Sequence, residues 1–299
     1  MSAAITIKPD QSAIILGATG LLGQALVKEA RNRGLTLLTA ARKHADVNLD
    51  ATNRESLLKV LKDASPNLVI NTIAKVSLDS CELNPGDAYL TNAAIVGNLS
   101  SFCLDQNIKL CHISTDHYFS GDNDRLHDEN SKVLLLNEYA KTKYAGECFA
   151  LTNPNSLVLR TNIVGLRNWS GSPTFVEWAI GELASKKPIT MFEDVYTSSI
   201  DVKTFSKALF ELISKGASGL INLASSECAS KKEFITRLAI RLGFDLSNCK
   251  VGRVNTNFGV ARGESLALDV SYAESILGYK LPNLDSVIES IACEYEVSK

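Results

Sequence analysis

The 299-residue sequence predicts a doubly wound α/β fold, a parallel sheet with helices on both faces and a smaller, interleaved C-terminal lobe. Three observations predict it. Apolar runs of strand length alternate with segments of helical periodicity through the first half, a rhythm that builds parallel sheets covered on both sides. Gly17, Gly20 and Gly23 fall where the first strand hands over to the first helix, a place where the backbone must turn tightly. Past Arg160 the alternation loosens into a Gly/Asn/Ser/Pro stretch at 165–173, which marks the start of a second lobe.

In chain order, the strands are expected at 13–16, 35–39, 68–71, 109–113 and 156–159, each a short apolar run. Helices at 21–33, 54–64, 88–106 and 138–151 fill the intervals, each with an apolar stripe at helical spacing. A helix at 174–185 and a short strand at 189–192 open the second lobe. An amphipathic helix at 201–215 follows, then a strand at 220–223 that rejoins the main sheet. Ser230-Lys-Lys-Glu233 reads as a capping box opening a helix that stops at Gly243. No flexible linker separates the lobes, so they interleave around one cleft.

Composition narrows the function. Charged residues are 21% and apolar ones 45%, with a formal net charge of -2, which argues against nucleic acid as a partner. No segment approaches the roughly 20 apolar residues of a membrane span, and the N-terminus lacks the pattern of a secretory signal, so a cytoplasmic protein with no membrane partner is expected. Seven cysteines contain no Cys-x-x-Cys and read as free thiols in a reducing compartment.

Gly17-Ala-Thr-Gly20-Leu-Leu-Gly23 has the context of a phosphate-binding loop, with a pyrophosphate at the positive N-terminal end of the helix that follows. The first half, with this loop, is of Rossmann type. It predicts a dinucleotide-binding domain of residues 1–162 plus about 196–223, with about 163–195 and 224–299 forming mainly the substrate-binding lobe. The second strand ends without the acid that binds an adenosine ribose, and Arg42 stands there instead, pointing to the 2′-phosphate of NADP. A solvated basic turn is the alternative. Asp50 is a candidate for the adenine edge, or a surface carboxylate.

Tyr139 and Lys143 lie four residues apart on an expected helix, so both side chains leave one face. A free phenol is a sluggish acid at neutral pH, and a nearby cation favours its ionised form. Strand 109–113 ends in Ser114-Thr-Asp-His117, where doubly wound sheets carry their sites. Strand alternation favours Thr115 as the hydroxyl that reaches a substrate carbonyl, with Ser114 as the alternative.

Together these motifs resemble the extended short-chain dehydrogenase/reductases over most of the chain. Within that group the sequence is most similar to the dTDP-4-dehydrorhamnose reductases and related NDP-sugar 4-keto reductases. The resemblance runs through Asn71-Thr-Ile-Ala74, Asp79 and Glu82 ahead of Asn92, Ser114-Thr-Asp116 with Phe119 and Gly121, Tyr139-Ala-Lys-Thr-Lys143 with Glu147, and Leu159-Arg-Thr161. It implies that Thr115 hydrogen-bonds a keto oxygen, that Tyr139 donates a proton, and that Lys143 lowers the phenol pKa and holds the nicotinamide ribose. NADPH would supply hydride, with NADH an open alternative. The candidate cofactor contacts are Gly17, Thr19, Gly20, Leu21, Leu22, Arg42, Asp50, Ala51, Ala74, Lys75 and Asn92, together with Tyr139 and Lys143. The candidate substrate contacts are Thr115, Asp116, His117, Ile163 and Arg262, for a nucleotide sugar used in surface polysaccharide synthesis. A homodimer stays open.

The sequence departs from the family where Ile163 replaces a tryptophan and Gly263 a proline, which leaves Trp169 or Trp178 to supply an aromatic wall or to pack the small lobe. His117 reads as a structural histidine beside the site. The acidic loop 122–133 lacks the glycine and glutamate of a calcium loop, and no metal site is expected. Three rivals remain. A dehydratase would carry a glutamate at His117, a 4-epimerase would favour NAD, and a non-catalytic subunit like the β subunit of methionine adenosyltransferase would not need Thr115, Tyr139 and Lys143.

Overall fold

The computed structural model describes residues 12–167, 172–254 and 259–298; Trp169 and the N-terminal stretch read for a signal lie outside them. Strands β1 (Ser12–Leu16), β2 (Thr36–Ala41), β3 (Val47–Asn48), β4 (Leu68–Asn71), β5 (Lys109–Ile113) and β6 (Leu157–Arg160) build the main sheet. After β7 (Asn162–Val164), β8 (Ile189–Phe192), β9 (Tyr196–Thr197) and β10 (Ser199–Asp201), the chain returns to it as β11 (Gly219–Asn222). The seven strands are parallel in the order β11-β6-β5-β4-β1-β2-β3. The order reverses between β1 and β4, the crevice in which such sheets bind ligands.

Alternation along β1 explains the two layers. Ile15 faces a core shared with α1 (Leu21–Asn32), α8 (Val202–Ser214) and α10 (Ser271–Leu277), through Leu26, Phe205, Leu209, Ala273 and Leu277. Ile14 and Leu16 face the opposite core, with Leu57 and Leu61 of α2 (Arg54–Ala64) and Leu99 of α5 (Ile95–Asp105). The expected strands at 68–71 and 109–113 form with those bounds. The second strand runs two residues further than expected because Ala40 and Ala41 pair with Val47 and Asn48 of the edge strand β3, which brings Arg42 directly to the strand end.

The expected helix at 88–106 is instead a broken path. The path starts ahead of that span, with α3 (Leu78–Leu83) and α4 (Pro85–Tyr89), and runs through one π turn (Leu90–Ala94) into α5. Asn84 leaves helical geometry at φ -137° and Pro85 restarts the helix at its first position, where a missing N–H costs nothing. Against the π turn packs α6 (Glu138–Leu151), and a Cβ at Gly146 would overlap the Asn92 carbonyl oxygen.

The second lobe gathers α7 (Phe175–Ala184), α9 (Lys231–Leu242) and α11 (Leu284–Val297) around Val176, Phe234, Leu238, Val287 and Ile291. Thr174 and Glu177 cap α7 reciprocally. Ser230 caps α9 by accepting from the Glu233 amide, but the Glu233 carboxylate is drawn to Arg237, so the second half of the expected capping box does not form. Small sheets join β9 to both β12 (Ala229–Ser230) and β14 (Ser265–Leu266), β13 (Cys249–Gly252) to β8, and β10 to β7. All seven cysteines are free. Among the described residues no helix is long and apolar enough to cross a membrane.

Candidate active site

Asn137 starts the site by accepting the Ala140 amide at 2.8 Å, which caps α6 and sets the phase of its first turns. Tyr139 and Lys143 then face the end of β5, 8% and 2% exposed. The Lys143 ammonium donates to the Ile113 carbonyl at 2.6 Å. The Thr115 hydroxyl donates to Asp116 at 3.3 Å and accepts the His117 amide. Ser114 points elsewhere, donating to Glu147 at 2.9 Å with the Tyr118 hydroxyl 3.0 Å away. The geometry thus puts the Thr115 hydroxyl, and not that of Ser114, beside Tyr139.

Burial raises the Tyr139 pKa, opposed by hydrogen bonding to Thr115 and reinforced by Asp116 and Cys81. Burial lowers Lys143 to about 8, with Glu147 pulling the other way. The expected lowering of the phenol by Lys143 does not appear: Thr115 is the group that favours phenolate, and the ammonium is engaged with a backbone carbonyl.

The glycine loop turns tightly at the end of β1. Gly17 adopts φ +80°, a conformation side chains disfavour, and a Cβ at Gly23 would overlap the Gly17 carbonyl oxygen. Gly20 caps α1 with no side-chain bond to the first amides of the helix, which begins at Leu21 and Leu22 after Thr19. Arg42 is exposed at the end of β2. Asp46, the nearest acid along the turn, is consumed by the Thr39 amide and hydroxyl at 2.9 and 2.7 Å. Asp50, just before Ala51, accepts from the Thr52 hydroxyl at 2.7 Å, and Arg42 adds to the lowering of its pKa. After β4, the Asn92 side chain clamps the backbone of Lys75, which follows Ala74, at 2.7 and 3.1 Å. Asn92 is fully buried and so shapes that loop from behind. The Lys75 ammonium is tied to Asp87 at 2.6 Å.

On the other side of Thr115, Asp116 is 1% exposed and accepts from Asn162 at 2.7 Å; burial raises its pKa. His117 lies edge-on to Tyr139, ring centroids 5.4 Å apart. Burial lowers its pKa, and Lys231 and Arg262 add to the lowering while Asp116 opposes it. Arg262 is exposed on a loop pinned by Asn137 to the Ala261 carbonyl and by Glu264 to Ser120 and Gly121. Gly263 permits that approach, since a Cβ there would overlap the Phe119 carbonyl oxygen. Ile163 is partly buried against the main core. Trp178 is 39% exposed on α7, its ring 6.2 Å from Phe175.

Sequence reasoning missed Asn162, Phe175 and Lys231. The Lys231 ammonium stands 4.5 Å from the Phe175 ring centroid, and burial lowers it to about 8 against the pull of Asp116. Its one local signal is a cation at the first position of a helix, where the macrodipole disfavours positive charge.

The RmlD substrate binding domain model matches residues 11–295. A probable low-salt glycan biosynthesis reductase of Haloferax volcanii is 27% identical, over 95% of this chain and 98% of that protein. A dTDP-4-dehydrorhamnose reductase of Mycolicibacterium smegmatis is 30% identical, over 74% and 66%. Among solved structures, the dTDP-4-dehydrorhamnose reductase of Bacillus anthracis in complex with NADP superposes with a TM-score of 0.84 at 24% identity, over 97% of this chain and all of that one.

Proposed function

The chain belongs to the RmlD substrate binding domain family, and on that premise we propose that it is an NADPH-dependent reductase of the 4-keto group of a nucleotide-activated 6-deoxysugar, acting in polysaccharide biosynthesis. The observation that carries this reading is the convergence of Thr115, Tyr139 and Lys143 at the end of β5, in a chain whose glycine loop turns at Gly17 into the first helix.

The residues present fit a dinucleotide. Gly17, Thr19, Gly20, Leu21 and Leu22 hold its pyrophosphate, Arg42 its 2′-phosphate, Asp50 and Ala51 its adenine end, and Ala74, Lys75 and Lys143 its nicotinamide half, with Asn92 fixing the Lys75 loop. When bound, NADPH supplies the hydride. NADH fits the same cradle with less use of Arg42.

Thr115 hydrogen-bonds the keto oxygen and orients the carbonyl. Burial keeps the Tyr139 phenol protonated at neutral pH, the state a donor requires. An alkoxide formed at carbon 4 is a stronger base than phenolate, so the proton passes from Tyr139 to that oxygen and leaves the phenolate behind. Asp116 and His117 line the sugar side with Ile163. Lys231 and Arg262, the cations acting on His117, attract the diphosphate of the sugar nucleotide. In this reading residues 163–195 and 224–299 mainly carry the substrate, against a cofactor-binding 1–162 and 196–223.

The test is NADPH consumption with dTDP-, GDP- and UDP-linked 4-keto-6-deoxysugars. Turnover of at least one is expected; tight NADPH binding with no turnover of any would overturn the reading in favour of a non-catalytic subunit.

A further inference from the structure

Behind the reacting groups lies a buried polar network that neither proton nor hydride delivery uses. The Glu147 carboxylate, 1% exposed, sits one turn along α6 from Lys143. It accepts from Arg160 of β6, 3.1 Å from Nε to Oε2 and 2.6 Å from Nη2 to Oε1. Its Oε2 also accepts from the Ser114 hydroxyl at 2.9 Å. The Arg160 guanidinium stands 5.1 Å from the centroid of the Tyr118 ring and 6.0 Å from that of Phe119.

Packing alone does not call for these charges, because a well-packed apolar pair often holds an interior as firmly as a buried ion pair. What the carboxylate adds is direction. Ser114 immediately precedes Thr115, so the bond from Ser114 to Glu147 ties the strand end that carries one reacting group to the helix that carries the other two. We propose that Glu147 is a positioning residue for the reduction, fixing Thr115 against Tyr139 through Ser114 and placing a negative charge one turn from the Lys143 ammonium. The proposal rests on the reductase reading of Thr115, Tyr139 and Lys143.

Lys143 is faced by Glu147 on its own helix and by His112 of β5, a histidine that burial and Lys143 itself hold neutral. Burial pulls Lys143 down to about 8 and Glu147 pulls it up. Arg160 on β6 and Tyr118 after β5 face the same carboxylate. Loss of the Glu147 charge therefore lets Lys143 lose its proton at lower pH.

Two variants separate the tie from the charge. Ser114→Ala cuts the tie and leaves the ion pair; it is expected to lower kcat by about tenfold to a hundredfold, the scale of a misplaced reacting group, with NADPH affinity and the pH profile unmoved. Glu147→Gln is expected to lower kcat and to move the basic limb of the kcat profile to lower pH. Because Glu147→Gln strands the Arg160 charge, the double variant Glu147→Gln/Arg160→Met carries the same test in a fold without a stranded charge. The titration of Lys143, followed by NMR of 15N-labelled lysine side chains, is expected to fall below the wild type in both Glu147 variants. A wild type that turns over no 4-keto sugar defeats the reductase reading, while the Lys143 titration still decides the influence of Glu147. Folded variants with wild-type kcat, or a Lys143 titration unmoved by loss of the carboxylate, would overturn the proposal.

Discussion

Tyr139 and Lys143 are both buried, and burial moves both toward their neutral forms: the phenol holds its proton more tightly and the ammonium releases it sooner. Lys143 is charged below about 8 and neutral above. If its ammonium holds the cofactor, kcat/KM falls as pH rises through that region, far below the titration of an exposed lysine; a pH–rate profile flat to pH 10 would contradict the role. Tyr139→Phe removes the transferable proton and should lower kcat by about a hundredfold or more, with the NADPH dissociation constant from fluorescence titration unchanged. Arg42→Asp should shift preference from NADPH toward NADH, read as the ratio of kcat/KM for the two. Tyr139, Lys143 and Thr115 were legible because helix spacing and a strand end are local patterns. Lys231 and Asn162 were not, because only folding brings them to Asp116 and no spacing along the chain encodes that meeting.

At the scale of elements, the pairing of α6 with the broken helix before α5 shapes the cofactor side of the site. The π turn lets Asn92 reach the Lys75 backbone, and Gly146 lets α6 come close enough to support it. Gly146→Ala should therefore destabilise the protein by about 1–3 kcal/mol, as overpacking does, and weaken NADPH binding, measured by urea unfolding and titration. Gly181→Ala on α7, where an added Cβ meets nothing, should instead stabilise by about 0.5–1 kcal/mol. The periodicity of residues 88–106 could not expose the break. A π turn of five residues is too short to be read from an apolar stripe, and the close approach of α6 to it, which Gly146 permits, is a meeting between helices. Six of the seven strands of the main sheet were legible as short apolar runs, whereas its edge strand β3, like β9, β12 and β14, spans two residues, too short for any alternation to register.

At the scale of the whole molecule, the seven-stranded sheet and its switch point put the glycine loop, Arg42 and the end of β5 along one edge, and the second lobe brings Phe175, Lys231 and Arg262 across from them. The sequence foretold the return of 220–223 to the sheet but no element beyond Gly243. There α10 joins the core beneath the sheet while α11 packs the second lobe, so the two lobes share the last part of the chain. In the proposed reduction, a hydride passes to carbon 4 of a sugar nucleotide. The most direct test incubates the protein with NADPH deuterated at nicotinamide carbon 4, in each stereochemical form, and a 4-keto-6-deoxysugar nucleotide, then locates the label by NMR. Deuterium is expected at carbon 4 of the sugar from one of the two forms, incorporated about a hundredfold or more slowly in Tyr139→Phe; a product with no deuterium at that carbon from either form, or a variant that labels at the wild-type rate, would contradict the reduction.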